Sequence, residues 1–250
     1  MYELEGLMRY KCIACDVMFR EFAAAAAQTR NIIELVLMPQ GLHRVGETQM
    51  SQTLQKVIDD TDTERFDAVL LGYGLCNNGV QGLHSDLPLV IPRAHDCITL
   101  LMGNMARYME YFNSNPGTFY YSSGWLERMV ITEDKSEAEQ QLGFGIDREQ
   151  FTELYGEDNA DYIMEIFGSW EKNYSQLTYI EMGLGATDVY IEEAKKRASS
   201  NGWQYEEING DSRLIDLMLA GEWNEQDFLV IPPGARIIPT HGEGVMGYQE

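Results

Sequence analysis

Short apolar runs of five to seven residues alternate with helical stretches through the first 100 positions, and this alternation limits the fold more than any other feature. Lys11–Val17 is rich in β-formers, and Phe19–Gln28 switches at once to an alanine-rich helix. Ile32–Met38 reads as a second strand closed by Pro39. Gln49–Asp59 carries helical spacing at Leu54, Val57 and Ile58, and Phe66–Leu71 reads as a third strand. A βαβαβ order implies a parallel sheet, since parallel neighbours need a crossover rather than a tight hairpin. Leu87–Ile91 before Pro92 is a fourth strand, and its unbroken apolar run suits a strand covered on both faces.

The end of the chain repeats the order: strand Leu177–Met182, helix Asp188–Ser199, strand Trp203–Ile208, helix Ser212–Leu219, strand Phe228–Ile231. Leu89-Val90-Ile91-Pro92 echoes Leu229-Val230-Ile231-Pro232, which leaves internal duplication open. The predicted class is therefore α/β, with parallel sheets from two βαβαβ units and an insertion between them. The expected division is a first unit over residues 1–100, a helical and aromatic insertion over 101–176, and a second unit over 177–250. Within the insertion the spacing predicts a helix over Ile98–Phe112, an aromatic run Phe119-Tyr120-Tyr121, and acidic helices through Asp147–Lys172. Tyr108, Tyr111 and Phe112 at helical spacing read as core.

Charge narrows the function classes. With 18 basic and 40 acidic residues the net charge is −22, which repels nucleic-acid backbones and anionic membranes. No apolar stretch reaches the roughly 20 residues of a membrane span, and the acidic start Met1–Tyr10 does not resemble a signal peptide. A cytoplasmic protein acting on a small molecule is expected, with no nucleic-acid or membrane partner. Four cysteines are too few for a disulfide scaffold.

In open α/β sheets ligands bind beyond the carboxyl ends of the strands. Cys15 ends the first predicted strand, His43 follows the second, Gly72-Tyr73-Gly74-Leu75-Cys76 follows the third, and His95-Asp96-Cys97 follows the fourth. A single free cysteine packs as a small hydrophobe. Three at strand ends of one sheet point instead to a site. Thiolate and imidazole are preferred zinc ligands, so Cys15, Cys76 and Cys97 with His95 would fill a tetrahedral set. The same three thiolates could hold a [4Fe-4S] cluster with one open iron. Cys12 and Cys15 spell C-x-x-C but lie within one strand, where residues three apart face opposite ways, so Cys12 belongs to the core.

Other residues flank this edge. Gly72 and Gly74 are positions where a cofactor could approach the backbone, although the loop lacks the dinucleotide fingerprint and serves equally to turn tightly towards Cys76. Arg20 and Arg93 could hold a substrate carboxylate or phosphate. His43 and His95 are candidates for acid–base work. Asp96 suits the N-cap of the helix that follows.

The segments Ile13–Glu21, Pro39–His43, Leu71–Gly79 and Pro92–Leu101, with Pro116-Gly117-Thr118 and Ser123-Gly124-Trp125, resemble the family called domain of unknown function 1638. The resemblance implies proteins of methanogens and other strict anaerobes, and a setting beside corrinoid-dependent methyltransferases. It points to Cys15, His43, Cys76, His95 and Cys97 as the site. The expectation that follows is a metalloprotein enzyme of one-carbon metabolism, with a corrinoid protein or methyltransferase as partner. Two alternatives stand beside it. One is a non-catalytic accessory protein for a corrinoid, a metal or such a partner, and the other is a metal-free thiol enzyme with Cys76 or Cys97 as nucleophile and His95 as base.

Overall fold

The computed structural model describes residues 6–43, 46–76, 78–131, 173–240 and 245–250. In chain order the first half holds β1 (Arg9–Cys15), α1 (Phe19–Gln28), β2 (Ile32–Met38), α2 (Glu47–Asp59), β3 (Ala68–Gly72), β4 (Leu89–Pro92), α3 (Cys97–Leu101), α4 (Met105–Ser114), β5 (Thr118–Tyr121) and α5 (Ser123–Ile131). The second holds β6 (Gln176–Glu181), α6 (Thr187–Asn201), β7 (Gln204–Asn209), α7 (Arg213–Ala220), β8 (Phe228–Ile231), β9 (Arg236–Pro239) and β10 (Met246–Gln249). The chain divides into two units, Met1–Glu110 with Gly210–Glu250, and Tyr111–Asn209. The protein is thus α/β, with a parallel-dominated sheet in one unit and a parallel sheet in the other.

In the first unit the strand order is β2-β1-β3-β4-β8. The first four strands run parallel, and β8 pairs antiparallel with β4. Burial follows rank in the sheet. Every residue of β3 and β4 is buried, as their continuous apolar runs require, whereas the edge strand β2 has only Met38 buried. Because β2 lies on one side of β1 and β3 on the other, the winding reverses between β1 and β3. Beyond the carboxyl ends at such a reversal is where open α/β sheets bind ligands.

Two expectations are corrected here. The run Phe119–Tyr121 belongs to a strand, β5, which pairs in parallel with β6, so the second sheet reads β5-β6-β7. Strand β8, expected to complete the second βαβαβ unit, joins the first sheet instead. The echoing segments are therefore neighbours, with Leu89 opposite Ile231 and Val90 opposite Val230. Their surroundings differ all the same, since Val90 is buried and Val230 is 40% exposed.

The predicted helix Ile98–Phe112 is two helices, because Gly103 breaks it at φ 81°. Tyr108 is buried as expected, while Phe112 is 48% exposed. In the second unit Tyr121, Leu126, Leu177, Tyr179, Ala194, Ala198 and Trp203 form a hydrophobic core. The predicted helices over Asp147–Lys172 lie outside the described residues. Among the described residues no helix is long and apolar enough to cross a membrane.

Candidate functional site

Cys15 is the last residue of β1, so the strand delivers its side chain to the carboxyl edge of the sheet. The chain then turns through a short 3-10 segment, Asp16–Met18, before α1. After β2 a second 3-10 turn, Gln40–His43, coils back towards it. The Gln40 amide donates to Asp16 Oδ1 at 2.9 Å, which locks the two turns together. The result is contact between His43 Nε2 and Cys15 Sγ at 3.7 Å.

Cys76 reaches the same place from β3. Gly74 runs flush against the turn after β4, where an added Cβ would lie 2.6 Å from the Asp96 amide nitrogen and 2.8 Å from its Cα. Leu75 N bonds Ala94 O at 2.8 Å and Cys76 N bonds His95 O at 2.9 Å, so the two loops travel as a pair. Cys76 itself sits at φ 46°, a left-handed conformation uncommon outside glycine. Burial pushes its thiol up, and the neighbouring Cys15 and Asp96 push the same way against one backbone hydrogen bond from Gly74. Burial also lowers His43 below its ordinary value, against the attraction of Asp96, and so favours neutral imidazole.

Cys15, His43 and Cys76 are thus brought together at the winding reversal, with Tyr73 beside them at 6.2 Å between its ring centroid and that of His43. Cys97 is buried in the first turn of α3, next to the Asp96 cap. Asp96 Oδ1 accepts from the Ile98 and Thr99 amides at 3.0 and 3.2 Å, the capping role its position predicts. Cys12 is fully buried within β1, and burial drives its thiol up. None of the four cysteines is in a disulfide.

His95 is exposed, and its ring lies 6.2 Å from that of Tyr108 rather than against a thiol. The Arg93 guanidinium is occupied with backbone carbonyls, Nε to Glu225 O at 3.0 Å and Nη1 to Met246 O at 2.8 Å. Arg20 is half-buried in the first turn of α1. Gly72 is packed against Phe22 and Ala14, so its missing Cβ makes room for the core. Among the described residues no group of three or more His, Cys, Asp or Glu already stands so as to hold a metal ion.

Tyr73 is the member of the cluster that the sequence did not single out. A tyrosine between two glycines reads as packing. Its role shows only once the hydroxyl is placed near Cys15, Cys76 and Asp16, which join burial in holding the phenol protonated.

Fold and site together define an α/β protein with a buried thiol–imidazole cluster at the carboxyl edge of a parallel sheet. The chain belongs to the family described as protein of unknown function (DUF1638), which matches residues 37–219. His43, Cys76, His95 and Cys97 fall inside that span, and Cys15 precedes it. No curated protein and no solved structure matches the chain.

Proposed function

We propose that this cluster is the working site of a metal-dependent enzyme, in which Cys15, His43 and Cys76 hold a thiophilic metal ion, zinc first. The observation that carries the reading is the approach of Cys15 Sγ to His43 Nε2 at 3.7 Å, made by two loops at the winding reversal, the position at which open α/β sheets bind ligands. The donor chemistry fits: thiolates and a neutral imidazole are what zinc takes. Bound there, zinc would supply Lewis acidity to activate a thiol or a methyl acceptor, the chemistry of the one-carbon metabolism that the family resemblance implies. Cys97, buried one residue beyond the Asp96 cap, is the further thiol an iron–sulfur cluster would need.

Metal analysis of protein purified without oxygen tests this. Stoichiometric zinc, or iron with sulfide, is expected, lost in Cys15→Ser, weakened in His43→Ala and kept in His95→Ala. Protein that carries no metal and takes none up sinks the proposal.

One observation favours a second reading: the Cys15 thiol and the His43 imidazole stand 3.7 Å apart as a thiol–base pair. A metal-free pair would use the imidazole to take the thiol proton and leave a nucleophilic sulfur. Iodoacetamide labelling of Cys15 that rises with pH and slows in His43→Ala would select this reading.

A further inference from the structure

Tyr73 follows directly on β3, which puts it at the winding reversal with Cys15 and Cys76 both near its hydroxyl. It is 1% exposed, and among the described residues its buried hydroxyl has no hydrogen-bond partner. Leaving a buried hydroxyl unsatisfied destabilises the fold. The backbone gives it little freedom to escape, because Gly72 is wedged against Phe22 and Ala14, and Gly74 against Asp96. Phenylalanine would pack the same ring without the cost.

A donor held in this way is matched to an acceptor that arrives from outside. Among the described residues its polar neighbours do not take the bond. Asp16 Oδ1 already accepts the Gln40 amide, and the His43 ring is centred 6.2 Å away. Room is scarce, with Cys15 1% and Cys76 8% exposed, so the ligand is small. Asp16 and Asp96 close by disfavour a multiply charged anion.

We infer that Tyr73 donates a hydrogen bond to a small ligand bound beside the Cys15–His43 pair, and that this ligand presents the acceptor atom of a monoanion, a thiolate or a carboxylate. The inference rests on the site proposed above. It names the class of molecule that the site receives and makes Tyr73 the residue that orients it.

The test uses the whole chain with its tyrosines isotope-labelled at Cζ. The chain has 14 tyrosines, and Tyr73→Phe identifies the resonance of Tyr73 by its loss. Two probes, 2-mercaptoethanol and acetate, are titrated into zinc-loaded and into metal-free protein. The Tyr73 resonance is expected to move with at least one probe, and the responding probe names the class. Tyr73→Phe is expected to bind that probe about tenfold more weakly, as the loss of one hydrogen bond to a charged acceptor implies. Its metal content and melting temperature should equal or exceed those of the unaltered chain.

A resonance that moves with neither probe in either form overturns the inference. So does undiminished probe binding by Tyr73→Phe, or a variant that melts well below the unaltered chain, which would show the hydroxyl already bonded to buried water. Failure to take up metal with the Tyr73 response intact sinks only the metal reading and leaves this inference supported. Metal uptake with a silent Tyr73 sinks only the inference.

Discussion

A side chain at Gly74 would have nowhere to go. Its Cβ would lie 2.8 Å from the His95 carbonyl carbon and 2.6 Å from the Asp96 amide nitrogen, and backbone cannot rotate aside as a side chain can. Gly74→Ala therefore pries the β3 loop from the β4 loop and strains the bonds Leu75 N to Ala94 O and Cys76 N to His95 O. The expected cost is about 1–3 kcal/mol, the range for overpacking, read as a drop of several degrees in melting temperature. Cys76 should lose its place at the same time, and metal uptake with it; an unchanged melting temperature would show that the loops are less tightly joined. This residue scale is also where the sequence was most and least legible. Cys15 could be placed because a residue that ends a strand must lie at the sheet edge, and Cys76 because the short loop that carries it follows a strand of the same sheet. His43 and His95 could not be ranked, since both follow strands. The 3-10 turn Gln40–His43 carries one imidazole back to Cys15, and the cap at Asp96 leaves the other outside. Arg93 looked like a substrate cation because an arginine beside a site reads the same whether it faces a ligand or a carbonyl.

Among the elements, the strands up to β4 were legible because local periodicity alone defines them. The partner of β8 was not, because a four-residue apolar strand carries no mark of which edge it will join. Polar contacts fix that choice. Arg93 N bonds Asp227 O at 2.8 Å, and the Asp227 carboxylate takes Arg213 from α7 and Asn224 Nδ2 at 2.9 Å. Burial pushes Asp227 up, but the bonds from Arg213 and Asn224 outweigh it and hold the carboxyl below its ordinary 3.8. A carboxyl lowered in this way adds stability above its unfolded value, and the stability is lost as pH falls through the folded value. Asp227→Asn is thus expected to lower the urea midpoint at about pH 7 and to narrow its gap from the unaltered chain at about pH 3. An equal loss at both would show that the charge contributes nothing to docking β8.

Across the whole molecule the dominant physical term is charge. Even if every one of the 18 basic residues found an acid, 22 of the 40 acids would have no cation. Folding brings these carboxylates together, and the self-repulsion weakens the compact state. Salt acts on two opposing contributions. It weakens ion pairs, but exposed pairs such as Lys195–Glu192 and Lys196–Glu193 are worth only about 0–1 kcal/mol each. It also shortens the reach of the repulsion, from about 30 Å at about 0.01 M to about 8 Å at about 0.15 M ionic strength. With acids outnumbering bases by more than two to one, relief of repulsion wins. The melting temperature is expected to rise between these two salt concentrations, for sodium chloride and potassium chloride alike, since screening does not depend on the identity of the monovalent ion. A melting temperature that falls as salt is added would mean that ion pairing outweighs the excess charge, and would place the acids in pairs closer than their numbers suggest.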